Sequence, residues 1–452
     1  MQARWSRSLS ILMIVILAAC NAPVSITPHT DVDGPTEPPD EPTSTYRVPM
    51  PGASTDAAEP AEGFVTDEPA PAGDPIPGRL ANPGLENERI RTTLFFPGQA
   101  RDGSYRYGCQ TTDNMGLFTV HPSDERHLQW SERAEIRNWT LEQMLAAGLN
   151  TVSMSSWGED FLSCSEGWNL WAPMQTASGS HDELFTAAIE TGMVIIPFLE
   201  SRPGWSLRSE FPTDANGDVA PGLVSQVVNL IERYLLNDEH PEWADVWARV
   251  YNSQGEPRYA VTLIHASSDR LAAGRHADFA AGFDRAAEEI HAQTGVWVGF
   301  FLDALPGGTH APGTYFLTPA SSGPYLLASQ SVLGIQAFIP EIWLPAGYSD
   351  AGRLAWKAEY SRRWAESGVP FLMDIAPGYD AHIVFPGSVF YGHTETWRAA
   401  LLDMVAAYGA DGLVYNSWNG YTEAMAGVPT VEYGDVDALW LQEACALEPQ
   451  AD

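Results

Sequence analysis

The sequence has little positive charge and almost no lysine. Its 452 residues include 24 Lys+Arg against 58 Asp+Glu, which gives a formal net charge of −34, and Lys357 is its one lysine. Binding to nucleic acid or to anionic lipid head groups needs a basic surface. The charge balance therefore excludes nucleic acid as a partner and argues against electrostatic attachment to a membrane.

Cysteine is also scarce, with four in the chain. Cys20 belongs to the N-terminal segment described next, which leaves Cys109, Cys164 and Cys445. An exported protein can oxidise one pair of thiols. We predict a disulfide between Cys109 and Cys164, because both lie in early loops, and a free Cys445 near the end of the last helix.

Long apolar runs are absent, and the run closest to one, Leu9–Leu17, is far shorter than the ~20 residues that cross a bilayer. Arg4 and Arg7 precede it, and Leu17-Ala18-Ala19-Cys20 follows. This pattern predicts a cleaved export signal over residues 1–19. The Leu-Ala-Ala-Cys ending resembles the bacterial lipoprotein box, which implies a lipid on Cys20. An ordinary signal peptide with a chance cysteine is the alternative.

The segment after the signal is rich in proline and acidic residues. Residues 21–85 hold 14 Pro and 11 Asp+Glu but few apolar residues. Such a segment cannot bury enough surface to offset its ordering entropy, and proline with like charges keeps it extended. We predict that residues 20–85 are a lipidated cysteine with a disordered tether. It would hold a folded domain, residues 86–452, at the outer face of a bacterial cell envelope.

The folded part alternates apolar runs with amphipathic helical stretches, most of which end in Gly. Near-continuous apolar runs suit strands buried on both faces, as in parallel sheets. Eight such runs separated by helices predict an α/β fold, a (β/α)8 TIM barrel. A doubly wound sheet is the alternative. The runs are 93–97, 151–155, 193–199, 259–264, 296–302, 334–339, 370–375 and 412–415.

Carboxylates and aromatic residues come directly after most of these runs, where a barrel carries its active site. Glycosidic cleavage uses two carboxyl groups, and aromatic rings pack on sugar faces. Each residue also has a structural interpretation, such as a buried hydrogen-bonding role for Asp374. The predicted catalytic acids are Glu200, Asp303 and Glu341. The predicted substrate-binding residues are Trp157, Arg202, His265, Asp374, Tyr379, Trp418, Asn419, Tyr421 and Glu423.

Motifs for other chemistries are missing from the sequence. It has no His-Glu-x-x-His zinc helix, no Walker loop and no Gly-x-Ser-x-Gly elbow. Asp214-Ala-Asn216-Gly-Asp218 has the spacing of a calcium loop, but Val219 stands where that loop needs Gly, so we interpret it as a turn. The sequence predicts neither a metal nor a cofactor.

The segment after the eighth run resembles a known family. Ser417-Trp418-Asn419-Gly420-Tyr421-Thr422-Glu423, followed by Pro429-Thr430-Val431-Glu432, is similar to a Ser-(Trp/Phe)-Asn-Glu-(Trp/Tyr)-x-Glu…(Ile/Val)-Glu stretch. That stretch belongs to endo-α-mannosidase-like barrels of glycoside hydrolase family 99 and to their family 71 relatives. The resemblance implies a glycoside hydrolase-like barrel. Gly420 departs from it, because the pattern has Glu there.

Three functions fit these observations. The first is a lipid-anchored glycoside hydrolase that cleaves an external polysaccharide or glycan. The second, favoured by Gly420, is a surface lipoprotein that binds glycans without cleaving them. The third is a structural or adhesion lipoprotein whose barrel has no pocket.

Overall fold

The chain divides into two units, Met1–Ala72 and Gly73–Asp452, and the described residues belong to the second. The computed structural model describes residues 74–96, 106–107, 110–111, 118–130, 133–156, 180–199, 213–214, 216–263, 274–304, 317–345, 347–383 and 387–449. No helix in these ranges is long and apolar enough to cross a membrane. Several predictions lie outside them: the export signal, Cys20, Cys109, Cys164, Trp157, Glu200, Arg202 and His265.

Eight parallel strands form a barrel in chain order. The last strand pairs with the first, and a bridge between Ile335 and Phe371 joins the sixth strand to the seventh. Each strand overlaps one predicted run, so the (β/α)8 prediction is confirmed. The doubly wound alternative is wrong, because the last strand returns to the first. The strands are β1 Ile90–Phe95, β2 Thr151–Ser156, β3 Val194–Leu199, β4 Pro257–Leu263, β5 Val298–Asp303, β6 Val332–Gln336, β7 Leu372–Ile375 and β8 Gly412–Tyr415.

One helix of eight residues or more follows each strand in the described chain. Gly295 follows α4 with a φ of 76°, the left-handed conformation that favours Gly after a helix. The helix Pro319–Ala328 begins where it does because Thr318 caps it in a capping box with Ser321 and because Pro319 suits the first turn. The helices are α1 Ala134–Ala146, α2 Ser180–Thr191, α3 Pro221–Tyr234, α4 His276–Thr294, α5 Pro319–Ala328, α6 Asp350–Ala365, α7 Glu395–Tyr408 and α8 Val436–Ala446.

The N-terminal end of the barrel interior is filled by apolar side chains. Inward-facing residues of the strands alternate with outward-facing ones, as β-strands require. The strand Arg249–Tyr251 pairs antiparallel with β4 and adds to this end. The cluster comprises Leu80, Ile90, Val194, Ile196, Ala248, Val250, Ala260, Phe301, Leu333, Leu372 and Val414.

Residues 74–85, which the sequence assigns to the tether, pack on this end of the barrel. Leu80 is fully buried in the apolar cluster. Gly78 donates its N–H to Tyr251 O at 2.8 Å, and Ala81 donates to Arg249 O at 2.7 Å. The folded unit therefore includes residues before 86. The average composition of the 65 residues 21–85 does not reveal that a single leucine in them is buried. For this reason the predicted tether includes residues that pack on the barrel.

Cys445 lies in α8 as a free, buried thiol. Burial raises its pKa to about 11. A thiol in that state is a poor nucleophile at neutral pH. The Cys109–Cys164 disulfide stays a prediction.

Candidate functional site

A buried charge network lies at the C-terminal ends of β6 and β7. Lys357 Nζ on α6 donates to both carboxylate oxygens of Glu341 at 2.9 Å and to Asp374 Oδ2 at 2.5 Å. The three side chains are 1%, 0% and 3% exposed. A buried ammonium between two carboxylates offsets the desolvation of all three. Two of the predicted site acids are thus held by the chain's one lysine.

Local structure places each member of this network. Asp374 lies in β7 between Met373 and Ile375, which pack outside the barrel, so its own side chain faces the interior. Glu341 lies in the short 3-10 helix Pro340–Trp343, which follows β6. Lys357 lies on the buried face of α6, one turn from Arg353.

Sequence reasoning missed Lys357 as a site residue. A signal was present, because Leu354, Lys357, Tyr360 and Trp364 recur at helical spacing along α6. A basic residue on an apolar helix stripe needs a buried acidic partner. The partner could not be chosen without the tertiary structure, since many carboxylates are available.

The network shifts the pKa values of its members. Burial acts to lower the pKa of Lys357, but Asp374 and Glu341 outweigh it, and the pKa lies above its ordinary value. Burial raises the pKa of Asp374 to about 6, while the charge on Lys357 opposes that rise. Lys357 is therefore a charged positioning group at neutral pH and does not act as a base.

Asp374 also organises the backbone and the end of β8. Its Oδ1 accepts a hydrogen bond from Asn416 Nδ2 and another from Ile339 N at 3.2 Å. Ile339 has a φ of 34°, a conformation that β-branched residues rarely adopt. Asp303 Oδ1 accepts from the neighbouring Phe338 N at 3.2 Å. The two aspartates together hold the segment that leads from β6 to Glu341.

Glu423 is a second acid near this network. Tyr379 Oη donates to Glu423 Oε1 at 3.3 Å, and the Tyr379 ring stacks on Tyr391 with 5.9 Å between centroids. Burial raises the pKa of Glu423 to about 7, although the Tyr379 hydrogen bond opposes the rise. Burial and then the charges of Glu341 and Asp374 raise the pKa of Tyr391. Four predicted residues, Glu341, Asp374, Tyr379 and Glu423, are thus linked through Lys357 and Tyr391.

The aromatic residues of the strand-eight segment are buried in packing. Trp418 and Tyr421 are 3% and 0% exposed, and Tyr421 packs on Phe118 with 5.1 Å between ring centroids. Asn419 uses both ends of its amide on the backbone of Phe96, accepting from N at 3.0 Å and donating to O at 2.8 Å. These contacts give all three residues structural roles. Contact with a sugar stays a prediction for them.

Gly420 has no room for a side chain. It pairs with Met425 in a short hairpin. A Cβ there would lie 2.4 Å from Ser417 Oγ and 2.8 Å from Met425 O. The backbone of this segment is therefore incompatible with the Glu that the family pattern has at this position. A glutamate at 420 would require the hairpin to move.

Glu432, the last acid of the resembling segment, connects two loops. It accepts a hydrogen bond from His121 N at 2.8 Å and pairs with His121 Nδ1 at 2.7 Å. Burial acts to raise its pKa, but the hydrogen bonds from His121 outweigh this and lower it. This pair joins the β1–α1 loop to the β8–α8 loop.

The turn interpretation of residues 214–218 agrees with the structure. Asp214 Oδ1 accepts hydrogen bonds from Asn216 N at 2.8 Å and Asp218 N at 3.0 Å, so the loop closes on itself. Asp218 pairs with Arg285. Within the described ranges, no three His, Cys, Asp or Glu side chains come together as a metal site.

Comparison with known proteins identifies the fold. No family model matches the chain, and a comparison with curated proteins finds no match. A solved structure described as a glycoside hydrolase-like protein is 13% identical, with a TM-score of 0.50, over 84% of this chain and 98% of that one. Two further structures match with lower TM-scores. A GH99 endo-alpha-mannosidase from Bacteroides thetaiotaomicron is 15% identical, with a TM-score of 0.47, over 78% and 97% of the two chains. An endocellulase from Pyrococcus horikoshii is 10% identical, with a TM-score of 0.48, over 79% and 93%.

At these identities the likeness defines a class of fold. The chain is a (β/α)8 barrel of the kind found in glycoside hydrolases. The fold hosts many unrelated functions, so the function must be argued from the site.

Proposed function

We propose that this protein acts on a glycan as a glycoside hydrolase-like barrel. The observation that carries the proposal is Glu423, a carboxyl on the C-terminal side of the barrel whose pKa is raised to about 7. A carboxylic acid that stays protonated near neutral pH suits proton donation to a glycosidic oxygen. Tyr379 holds it in place.

The second carboxylate of such a mechanism is assigned by elimination among the predicted acids. Glu341 is fully buried, and both of its oxygens accept hydrogen bonds from Lys357, so it serves the buried charge network. Asp303 is fully buried at the end of β5 and supports the backbone of Phe338. Glu200, directly after β3, is the remaining predicted acid, and we assign it the role of base or nucleophile.

A non-catalytic glycan-binding protein is the second candidate. The observation that favours it is Gly420, where the resembling family pattern has an acid and this backbone has no space for one. In that case Glu423 would bind a sugar hydroxyl. Binding would then persist without bond cleavage.

A glycan screen on the full chain tests the two candidates. Polysaccharides and glycans are scored both for binding and for release of reducing ends. We expect release that is lost in Glu423→Gln and in Glu200→Gln, with binding retained. Glu366→Gln, a surface change at the residue that follows α6, is the matched control and should keep wild-type release. Binding without release in the wild type would establish the second candidate. If the wild type shows no binding and no release, the proposal is overturned, and the structural or adhesion lipoprotein remains.

We also propose that the chain is anchored by lipid on Cys20 at the extracytoplasmic face of a bacterial envelope. The sequence of the first twenty residues supports this. Metabolic labelling with a radioactive fatty acid should mark the wild type and spare Cys20→Ala. Equal labelling of both would contradict the anchor.

A further inference from the structure

A hairpin that follows β7 carries the tyrosines of the candidate site. Gly378–Asp380 pairs antiparallel with Phe390–Gly392, and Tyr379 lies opposite Tyr391. The two rings stack and are buried, and Tyr379 donates a hydrogen bond to Glu423. Side chains alternate along a strand, so the next pair of residues points the other way. The hairpin therefore has an inner face toward Glu423 and an outer face.

The outer face presents Asp380 and Phe390, which lie directly opposite each other in the hairpin. Phe390 is 63% exposed, whereas Tyr391 next to it is 1% exposed. A ring in that position contributes little to folding, because it removes little apolar surface from water. Packing within the protein therefore does not account for an aromatic residue here.

Phe390 belongs to a row of three rings. Its ring centroid lies 6.4 Å from that of His393, with 23° between the planes, and His393 stacks on Tyr433 at 4.4 Å and 0°. His393 is buried between them, while Tyr433 is partly exposed. We call Phe390, His393 and Tyr433 the outer platform. Apolar groups gathered at a surface mark binding sites better than single exposed side chains do.

Hydrogen-bond acceptors stand beside the outer platform. His382 Nδ1 pairs with Asp380 Oδ1 at 2.7 Å, and His382 is 62% exposed. Because Nδ1 donates to the carboxylate, the neutral His382 ring offers an acceptor at Nε2. Burial and then the charges of Asp380, Asp437 and Glu432 raise the pKa of Tyr433. Negative charge thus surrounds the outer platform, which favours hydroxyl donors and repels anions.

We infer that the outer platform is a second sugar-binding site, which takes one neutral pyranose ring of a glycan. The apolar face of the ring packs on Phe390, and its hydroxyls donate to His382 Nε2 and to the carboxylate of Asp380. The surrounding charges exclude phosphorylated, sulfated and uronic sugars. A glycan held there lies across the hairpin from Glu423. The inference rests on the proposed function for the choice of a sugar.

Affinity electrophoresis measures this binding without requiring cleavage. The full chain carrying Glu423→Gln is run through native gels that contain dextran, pullulan, yeast mannan, laminarin or xyloglucan. We expect at least one of these neutral polysaccharides to retard it. Adding Phe390→Ala should weaken that affinity about five- to tenfold, because one ring face is lost. Its melting temperature should stay that of the parent, since the ring is exposed.

Two further changes at Phe390 and one control sharpen the test. Phe390→Tyr keeps the flat ring and should keep the affinity. Phe390→Leu keeps apolar bulk without a flat face and should lose most of it. Tyr325→Ala removes another exposed ring, on α5, and should leave the affinity unchanged. Equal losses in Phe390→Ala and Tyr325→Ala would show unspecific adsorption and overturn the second site.

The remaining outcomes separate this inference from the proposed function. Retardation that survives Phe390→Ala, or no retardation at all, overturns the second site, and release in the glycan screen then still supports the proposed function. No retardation together with no binding and no release in the screen overturns both. A wild type that sediments as a dimer while Phe390→Ala sediments as a monomer would make the outer platform an interface between two copies, which also overturns the sugar site.

Discussion

The two ends of the barrel interior differ in the side chains that line them. The N-terminal end is closed by apolar side chains, with Leu80 and the strand Arg249–Tyr251 covering it, and its unpartnered buried atoms among the described residues are guanidinium nitrogens of Arg79, Arg89 and Arg249. The C-terminal end holds the Lys357 network and several buried polar atoms without partners among the described residues. Those atoms are Thr262 Oγ1, Gln336 Oε1, Tyr391 Oη, Asn416 Oδ1, Trp418 Nε1 and Tyr421 Oη.

In this fold the N-terminal end of the barrel contributes mainly to stability, and the C-terminal end carries the candidate site. Apolar packing at the N-terminal end stabilises the barrel through burial alone. Unpaired buried polar groups at the C-terminal end cost folding free energy. Changes at the two ends should therefore have different consequences.

The largest effect is expected for Lys357→Met at the C-terminal end. It leaves Glu341 and Asp374 buried together without their shared cation. Removing one partner of a buried ion pair costs about 3–5 kcal/mol of folding free energy. Urea denaturation measures the loss.

A matched control and a rescue accompany this prediction. Arg363→Met lies on the same helix, where its side chain is partly exposed and pairs with Glu359, so little change is expected. Adding Glu341→Gln and Asp374→Asn to Lys357→Met should restore much of the stability, because it removes the buried negative charge. A Lys357→Met variant as stable as the wild type would refute the role of the network.

A smaller effect is expected for Leu80→Ala at the N-terminal end. Leu80 is fully buried in the apolar cluster, and such truncations cost about 2–5 kcal/mol. Glycan affinity of the folded variant should equal that of the wild type, since the site lies at the other end. The same urea experiment with a binding titration checks both. If the glycan affinity of the Leu80→Ala variant falls together with its folding stability, the two ends do not act independently.

The smallest effect is a shift in pH dependence at Glu423. A general acid acts while protonated, so glycan release should fall as the pH rises through its pKa of about 7. Tyr379 hydrogen-bonds to this carboxylate and so favours its ionised form. Tyr379→Phe should raise the pKa and move the decline to higher pH by about 0.5–1 unit.

A tyrosine at the opposite end is the control for that shift. Tyr251→Phe, in the strand that covers the N-terminal end, should leave the pH profile of release unchanged. A profile that moves to lower pH in Tyr379→Phe, or moves equally in both variants, would contradict the role of Glu423 as proton donor.

Much of the fold could be predicted from the sequence, because each strand and helix carries a local pattern. Buried strands such as Val194–Leu199 are continuous apolar runs, and helix ends such as Gly295 carry the residue that their backbone favours. The register between strands has no such local signal. The packing of residues 74–85 on the barrel depends on Leu80 and on hydrogen bonds to the strand Arg249–Tyr251, so average composition could not detect it.

The candidate site could be predicted in part. Asp374 is predicted from within an apolar run, and Glu341, Tyr379 and Glu423 are predicted because they follow such runs; the fold brings the four together through hydrogen bonds and ring contacts. Their roles were not predictable, because each depends on a partner far away in the chain. Asn416 and Gln336 look like ordinary strand-end amides in the sequence.

By itself the sequence determined the alternation of eight strands with helices and the placing of acids after them, since both follow from periodic burial along single segments. Only the tertiary structure decided that Lys357 joins Glu341 to Asp374, that Asn416 hydrogen-bonds to Asp374, and that Gly420 has no room for a side chain. These outcomes depend on distances between segments, which barrel closure and strand register set together and no single segment encodes.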